Sequence, residues 1–171
     1  MKLLGIWVAL GGLLGLCSTS MGQEMSATAT LMPTSGNTAM GTATFAQQGD
    51  KVAVVAKVSG LSPGSHGFHI HEKGDCSSGD GMSAGGHFNP TAKPHGNPSA
   101  PEHHAGDMPM LVVDASGNAS LTADLSPMMI GTGTTDIIGR AVIVHKDPDD
   151  YKTQPTGNSG ARVACGVITK S

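Results

Sequence analysis

The histidines of this chain are spaced in ways that suit metal binding. His69 and His71 flank a single residue, Ile70. In a β-strand, alternate residues project to the same face, so both imidazoles point one way while Phe68 and Ile70 point into a core. Two rigidly held imidazoles are suitable ligands for a transition metal. The pair alone is weak evidence, because histidines are also common at protein surfaces.

Further candidates follow at intervals of 8, 9 and 3 residues: His87, His95, His104 and Asp107. Three imidazoles and one carboxylate form a plausible tetrahedral zinc set. His145 ends a later apolar segment, from which it could reach the first pair if the two segments are neighbouring strands. Each histidine alone could be a hydrogen-bonded or solvated residue. Six such histidines together favour a metal site, whereas His66 and His103 fall outside the pattern.

The composition predicts the elements that must position these side chains. The 171 residues include 25 Gly and 10 Pro, and only 13% are charged and 3% aromatic. This composition favours strands joined by many turns and excludes a helical bundle. The net charge of −3 and the shortage of aromatic side chains argue against nucleic-acid binding. We predict an all-β, antiparallel β-sandwich or flattened barrel of about eight strands.

Two long loops interrupt the predicted strands. Residues 72–106 contain 7 Gly and 4 Pro but very few aliphatic side chains. A stretch of this length without secondary structure inside a compact domain is usually functional or disordered. Its histidines favour a function. The second loop, residues 146–160, is polar, and residues 161–168 are predicted to form the last buried strand.

The N-terminus has the features of a secretory signal peptide. Met1-Lys2 is a positive start, and residues 3–16 form an apolar run of 14 residues that small residues follow. The run is shorter than the ~20 residues that a transmembrane helix needs. We predict a signal peptide at residues 1–22 and one exported domain at 23–171, without stable membrane contact. A lipid anchor at Cys17 is the alternative, although lipidation signals place a small residue where Leu16 stands.

The predicted cleavage changes the cysteine count and the charge. It leaves Cys76 and Cys165, and it removes Lys2, so that the net charge changes from −3 to −4. Two cysteines in an exported protein predict one disulfide, with two buried free thiols as the alternative. Closing a loop of about 90 residues would stabilise the fold by ~4–5 kcal/mol on chain-entropy arithmetic.

Five segments together resemble the copper/zinc superoxide dismutase family in its bacterial exported form. They are GFHIHE at 67–72, GGHFNP at 85–90, PHG at 94–96, HAGD at 104–107 and GNSGARVACG at 157–166. The resemblance extends from about residue 26 to residue 169. It implies a Greek-key fold, a periplasmic location and superoxide anion as the substrate. It is compatible with a monomer or a homodimer.

The resemblance also implies two sets of metal ligands. Copper would be bound by His69, His71, His87 and His145, and zinc by His87, His95, His104 and Asp107. His87 belongs to both sets, so its two ring nitrogens would bridge the metals as imidazolate. In the family, reduction of copper releases this bridge and the imidazole takes up a proton. Zinc would be structural, holding the long loop and His87.

Other residues match family positions around the metals. Asp149 matches a carboxylate that hydrogen-bonds one copper histidine and one zinc histidine from outside. Arg162 matches the active-site cation that attracts O₂⁻, although a surface salt bridge is its ordinary alternative. Thr156 matches a residue at the rim of the channel. A Cys76–Cys165 disulfide would tie the long loop to the strand that Arg162 begins and would hold the arginine in place.

The implied activity is the conversion of two O₂⁻ and two H⁺ into O₂ and H₂O₂, as copper cycles between Cu(II) and Cu(I). Catalysis would depend on Arg162 and on a proton from His87, and the enzyme would protect the cell envelope from oxidative damage. A copper-binding or copper-delivery protein on the same fold is expected to lack a copper ligand or the arginine. A copper-only variant would lack the zinc set. A structural β-domain that only binds zinc would leave His69, His71 and His145 without a role.

Overall fold

The computed structural model describes residues 25–171. The predicted signal peptide and Cys17 therefore lie outside the described residues. No helix among those residues is long and apolar enough to cross a membrane. The one helical element in residues 25–171 is a 3₁₀ turn at Met82–Ala84, and the rest is strand and loop.

Nine strands make up the fold. They are β1 Ser26–Pro33, β2 Met40–Gln48, β3 Lys51–Ser59, β4 Gly64–His66, β5 Phe68–His71, β6 Leu111–Val113, β7 Asn118–Leu125, β8 Ala141–His145 and β9 Arg162–Lys170. Their order in the sheet is β4-β6-β7-β3-β2-β1-β9-β8-β5, and the paired strands are antiparallel. The all-β prediction is confirmed.

The sheet curls into a nearly closed, flattened barrel. Strands β1, β2 and β3 form a meander, whereas β3 pairs with the distant β7 and β1 pairs with the C-terminal β9. The two strands at the ends of the order, β4 and β5, are separated in the chain by Gly67 alone. Nine strands are therefore present where about eight were predicted, because the short β4 is a separate strand on the other side of this break.

Alternation of apolar and polar residues positions the core inside the barrel. Along β3, Val52, Val54, Ala56 and Val58 are buried while the residues between them are more exposed. Three of these four residues are valines, and β-branched side chains suit a half-buried strand. Phe68 is fully buried in the main apolar core, as predicted for the residue beside His69.

The two predicted loops are present, and a third irregular segment joins β7 to β8. The first loop occupies residues 72–110 between β5 and β6, and the second occupies residues 146–161 between β8 and β9. β8 spans Ala141–His145. Ile137, which precedes it, is buried in the core, and its backbone N–H donates to the carbonyl of Met129.

Candidate metal centre

The strands β5 and β8 bring three of the predicted histidines together. The register pairs His69 with Ile143 and His71 with Ala141, and the backbone N–H of His145 donates to the carbonyl of Gly67 over 2.8 Å. The apolar residues of β5 face the core, so His69 and His71 project to the opposite face. That face is covered by the two loops, and all three imidazoles are buried.

The first loop is attached to β5 by backbone hydrogen bonds. Ile70 donates its N–H to Gly106 O and accepts at its own carbonyl from Phe88 N–H, each over 2.8 Å. Isolated bridges also pair His71 with His87 and His69 with Asp107. A side chain at Gly106 would collide with the carbonyl of Ile70, so only glycine permits this approach. The long loop therefore delivers its ligands to a fixed position beside β5.

The first set of side chains, which we call the four-histidine group, comprises His69, His71, His87 and His145. One ring nitrogen from each lies within 4.8 Å of the others. The Nε2 atoms of His71 and His145 are 3.3 Å apart. Their Nδ1 atoms are occupied, since they lie 2.9 Å from Gly85 O and 3.2 Å from Gly160 O respectively. These backbone bonds leave the Nε2 lone pairs directed at one point.

The second set, which we call the mixed group, comprises His87, His95, His104 and Asp107, again with ligand atoms within 4.8 Å of one another. Oδ1 of Asp107 lies 3.0 Å from Nδ1 of His87, 2.9 Å from Nδ1 of His95 and 3.5 Å from Nδ1 of His104. Its Oδ2 accepts the backbone N–H groups of Gly96 and His104. One carboxylate oxygen therefore faces the imidazoles while the other anchors the loop.

Two buried nitrogen atoms show that metal ions fit these groups. Nδ1 of His69 and Nε2 of His87 are buried and have no hydrogen-bond partner in the described part of the chain. An unpartnered buried polar atom costs about 1–3 kcal/mol. A cation in the four-histidine group would give both nitrogens a partner. Nδ1 of His87 points to the mixed group, so the two nitrogens of this one ring are divided between the groups.

Asp149 connects the two groups from behind. Its Oδ2 lies 2.6 Å from Nε2 of His69, and its Oδ1 lies 3.0 Å from Nε2 of His95. Both rings must therefore present Nδ1 to the metal groups. Tyr151 donates its backbone N–H to the same carboxylate and fixes it in turn. This is the contact expected for Asp149, and it determines which nitrogen each ring offers.

Burial keeps the four-histidine group neutral. Desolvation lowers the pKa of His69, lowers those of His71 and His145 well below the ordinary value, and lowers that of His87 to about 4. Neutral imidazoles have the free lone pair that a metal requires. The group is therefore in a binding-competent protonation state at pH 7.

The carboxylates create the opposite environment around His95. Burial opposes the charged form, but hydrogen bonds with Asp107 and Asp149 prevail and raise the pKa of His95 to about 9. Burial likewise opposes ionisation of the two carboxylates, yet their hydrogen bonds to histidines hold both pKa values well below the usual range. A cation that binds here replaces a proton held between two carboxylates, so metal binding releases a proton.

Arg162 stands in a pocket that opens over the four-histidine group. Residues lining the pocket include His71, His145, Thr156 and Arg162. The guanidinium donates from Nη1 to Gly81 O over 2.8 Å and from Nη2 to Gly85 O over 2.6 Å. These two bonds hold a positive charge beside the buried imidazoles. Among the described residues that line this pocket, Arg162 is joined by none of the four lysines in or beside the two loops, which are Lys73, Lys93, Lys146 and Lys152.

Comparison with known proteins identifies the family. Residues 39–168 match the family model described as copper/zinc superoxide dismutase. The chain belongs to this family. The match covers most of the barrel and all seven side chains of the two groups. The resemblance inferred from the sequence motifs is confirmed at the level of the family, and family membership together with the two donor sets supports copper and zinc as cofactors.

Two relatives show how closely the chain follows the copper/zinc superoxide dismutase family. Superoxide dismutase [Cu-Zn] 2 of Brassica juncea is 46% identical over 135 residues, which cover 75% of this chain and 88% of the plant protein. The crystal structure of the clock protein EA4 superposes with a TM-score of 0.76 at 43% identity, covering 84% of this chain and 93% of that one. The similarity therefore extends over both fold and sequence.

The disulfide predicted for this family member is present. Cys76 and Cys165 are bonded, their Cα atoms are 5.8 Å apart, and 89 positions separate them in sequence. Cys165 lies in β9, three residues after Arg162. The bond therefore fastens the first loop to the strand that carries the arginine.

Some residues around the site had no signal in the sequence. The Gln154 side chain accepts the backbone N–H of His95 and donates to its carbonyl, each over 2.8 Å. This amide holds the first loop against the second. The carbonyls of Gly81 and Gly85 hold Arg162, and the loop sequence does not indicate which backbone atoms will do so. His66 and His103 lie outside both groups, as the sequence pattern indicated.

Proposed function

We propose that this chain catalyses superoxide dismutation, in which two O₂⁻ and two H⁺ become O₂ and H₂O₂. Copper is bound by the four-histidine group and zinc by the mixed group. The observation that carries the proposal is the single ring of His87, which offers one nitrogen to each group. Imidazole sets suit copper, and three imidazoles with one carboxylate suit zinc.

The protein side chains have separate tasks in this reaction. When bound, copper supplies one-electron redox chemistry and zinc holds the loop and His87 in place. Asp149 orients His69 and His95 so that each presents Nδ1. His87 is buried and its Nε2 has no partner, so we assign to this atom the proton that ends in H₂O₂.

Arg162 attracts the anionic substrate. The chain has a net charge of −3, so the overall field does not favour an approaching anion. A local positive charge inside a pocket focuses the field and raises the rate of encounter. Two of the guanidinium N–H groups are bound to Gly81 and Gly85, and others are left to donate to superoxide.

The direct test measures superoxide consumption by purified residues 23–171 with the copper and zinc contents counted. We expect fast, cyanide-sensitive consumption that requires copper. A protein that binds both metals but consumes superoxide no faster than free copper would overturn the assignment. Metal storage or copper delivery on the same fold would then be the better account.

Arg162→Ala is expected to lower the rate constant for superoxide about 10-fold or more at low ionic strength, because local charge raises such rates by 10- to 1000-fold. The variant should also depend less on salt concentration. Lys57→Ala is the matched control, since it removes an exposed positive charge outside this pocket. An Arg162→Ala enzyme with the wild-type rate and salt dependence would exclude a steering role.

We also propose that the enzyme is of the bacterial exported type and protects the cell envelope. The signal-like residues 1–22 support export, with residues 23–171 as the mature domain. The Cys76–Cys165 disulfide is typical of an oxidising compartment such as the periplasm. Cell fractionation and N-terminal sequencing test this. Recovery of the protein in the cytoplasm with residues 1–22 intact would contradict it.

A further inference from the structure

The mouth of the pocket over the four-histidine group carries an exposed methionine. Met82 is 60% exposed and lines the same pocket as His71 and His145. Exposure by itself means little, since isolated apolar residues are common on protein surfaces. Met32 is also 60% exposed but lines a different pocket. The position of Met82 is therefore what distinguishes it.

The turn that carries Met82 is fixed to the metal centre. Arg162 donates to the carbonyls of Gly81 and Gly85, the residues on either side of the 3₁₀ turn. Gly85 O also lies 2.9 Å from Nδ1 of His71, one of the proposed copper ligands. The backbone N–H of Met82 donates to Oδ1 of Asp80 over 2.9 Å. Met82 therefore lies on a turn that hydrogen bonds hold in place at the edge of the pocket.

Met82 and Asp80, which line the entrance of the pocket, suit a soft cation that moves towards the four-histidine group. A thioether is a soft, uncharged ligand that selects Cu(I). His71 and His145, two of the proposed copper ligands, are buried at the bottom of this pocket. An ion that reaches them through the pocket therefore passes Met82. Arg162 repels a cation, whereas the exposed carboxylate of Asp80 lines the same pocket and offsets that charge.

We propose that Met82, assisted by Asp80, is the entry ligand for Cu(I) during loading of the four-histidine group. The thioether sulfur first binds Cu(I) that a donor has released. The ion then passes from the sulfur to the Nε2 atoms of His71 and His145. Copper stays in the Cu(I) state and the methionine is regenerated unchanged, so no other reactant is needed. This inference rests on the copper ligands assigned under the proposed function.

The first test measures how fast protein that contains zinc but no copper takes up Cu(I). The Cu(I) is supplied as its acetonitrile complex, and oxygen is excluded. Samples are quenched with a copper chelator, desalted and analysed for bound copper. Met82→Leu should load several-fold more slowly than wild type yet reach the same final copper content. Met32→Leu, the matched control, should load at the wild-type rate. Asp80→Asn should slow loading most at low salt.

The second test observes binding without mutation. Protein with ¹³C-labelled methionine methyl groups is titrated with Ag(I), a soft monovalent ion that does not change oxidation state. The methyl signal of Met82 should shift before that of Met32. Equal loading rates for Met82→Leu and wild type, or a shift at Met32 that precedes the one at Met82, would overturn the proposal.

Final copper content separates this inference from the proposed function. If His145→Ala retains as much tightly bound copper as the wild type, the assigned copper ligands are wrong, and the entry role is overturned with them. If His145→Ala loses that copper while Met82→Leu loads at the wild-type rate, the copper ligands stand and only the entry role is wrong.

Discussion

Replacing His87 with alanine is expected to weaken the binding of both copper and zinc. The ring has Nδ1 beside Asp107 in the mixed group and an unpartnered Nε2 for the four-histidine group. Loss of a residue that only orients a metal ligand already costs 10- to 100-fold in metal affinity. Loss of a ligand shared by two metals should cost at least about 100-fold for each. Dismutation should fall to the level of free copper.

Metal analysis after dialysis against a chelator measures this effect, with two variants as controls. His71 belongs only to the four-histidine group, so His71→Ala should lose copper and keep zinc. His104 belongs only to the mixed group, so His104→Ala should lose zinc first. A His87→Ala protein that keeps a full complement of zinc would show that its Nδ1 is not a zinc ligand.

The second large effect is expected from the double variant Cys76→Ala/Cys165→Ala. The bond closes a loop with a sequence separation of 89, and opening it restores chain entropy to the unfolded state. A loop of this size corresponds to about 4–5 kcal/mol in the free energy of unfolding. For a domain of this length, that change lowers the melting temperature by roughly 10–20 °C.

Denaturant unfolding of the oxidised wild type, the reduced wild type and the double variant measures this contribution. The reduced wild type is the matched control, because it lacks the bond but retains both side chains. It should unfold at nearly the same denaturant concentration as the double variant. If the double variant were as stable as the oxidised wild type, the bond would serve only to position the loop and Arg162.

The sequence was most informative where a short pattern determines a local direction. The alternation at 68–71 correctly predicted that Phe68 is buried in the apolar core while His69 projects from the opposite face of the strand. Two cysteines left after the predicted cleavage correctly predicted one disulfide. The family motif HAGD at 104–107 selects His104 rather than His103, and the structure places only His104 in the mixed group. The alternation and the motif are carried by neighbouring residues, and the disulfide follows from the number of cysteines, so no distant contact had to be known.

The sequence was least informative where distant backbone atoms meet. The carbonyls that hold Arg162 belong to Gly81 and Gly85, about 80 positions away, and backbone carbonyls have no sequence signature. The sequence pattern does not indicate strand β4, because its three residues are stabilised by pairing with the remote β6 rather than by an alternation of their own. Gln154 holds His95 through an amide that looks like any polar loop residue.

The carboxylate of Asp149 has a thermodynamic consequence for the assembled protein. Because it restrains His69 and His95 together, the metal that binds first also orders a ligand of the second metal. The two binding equilibria are then linked, and linkage is reciprocal: the factor by which zinc increases the affinity for copper equals the factor by which copper increases the affinity for zinc. The order of metal addition can therefore change the rate of maturation but not the final occupancy. Scarcity of either metal lowers the occupancy of both.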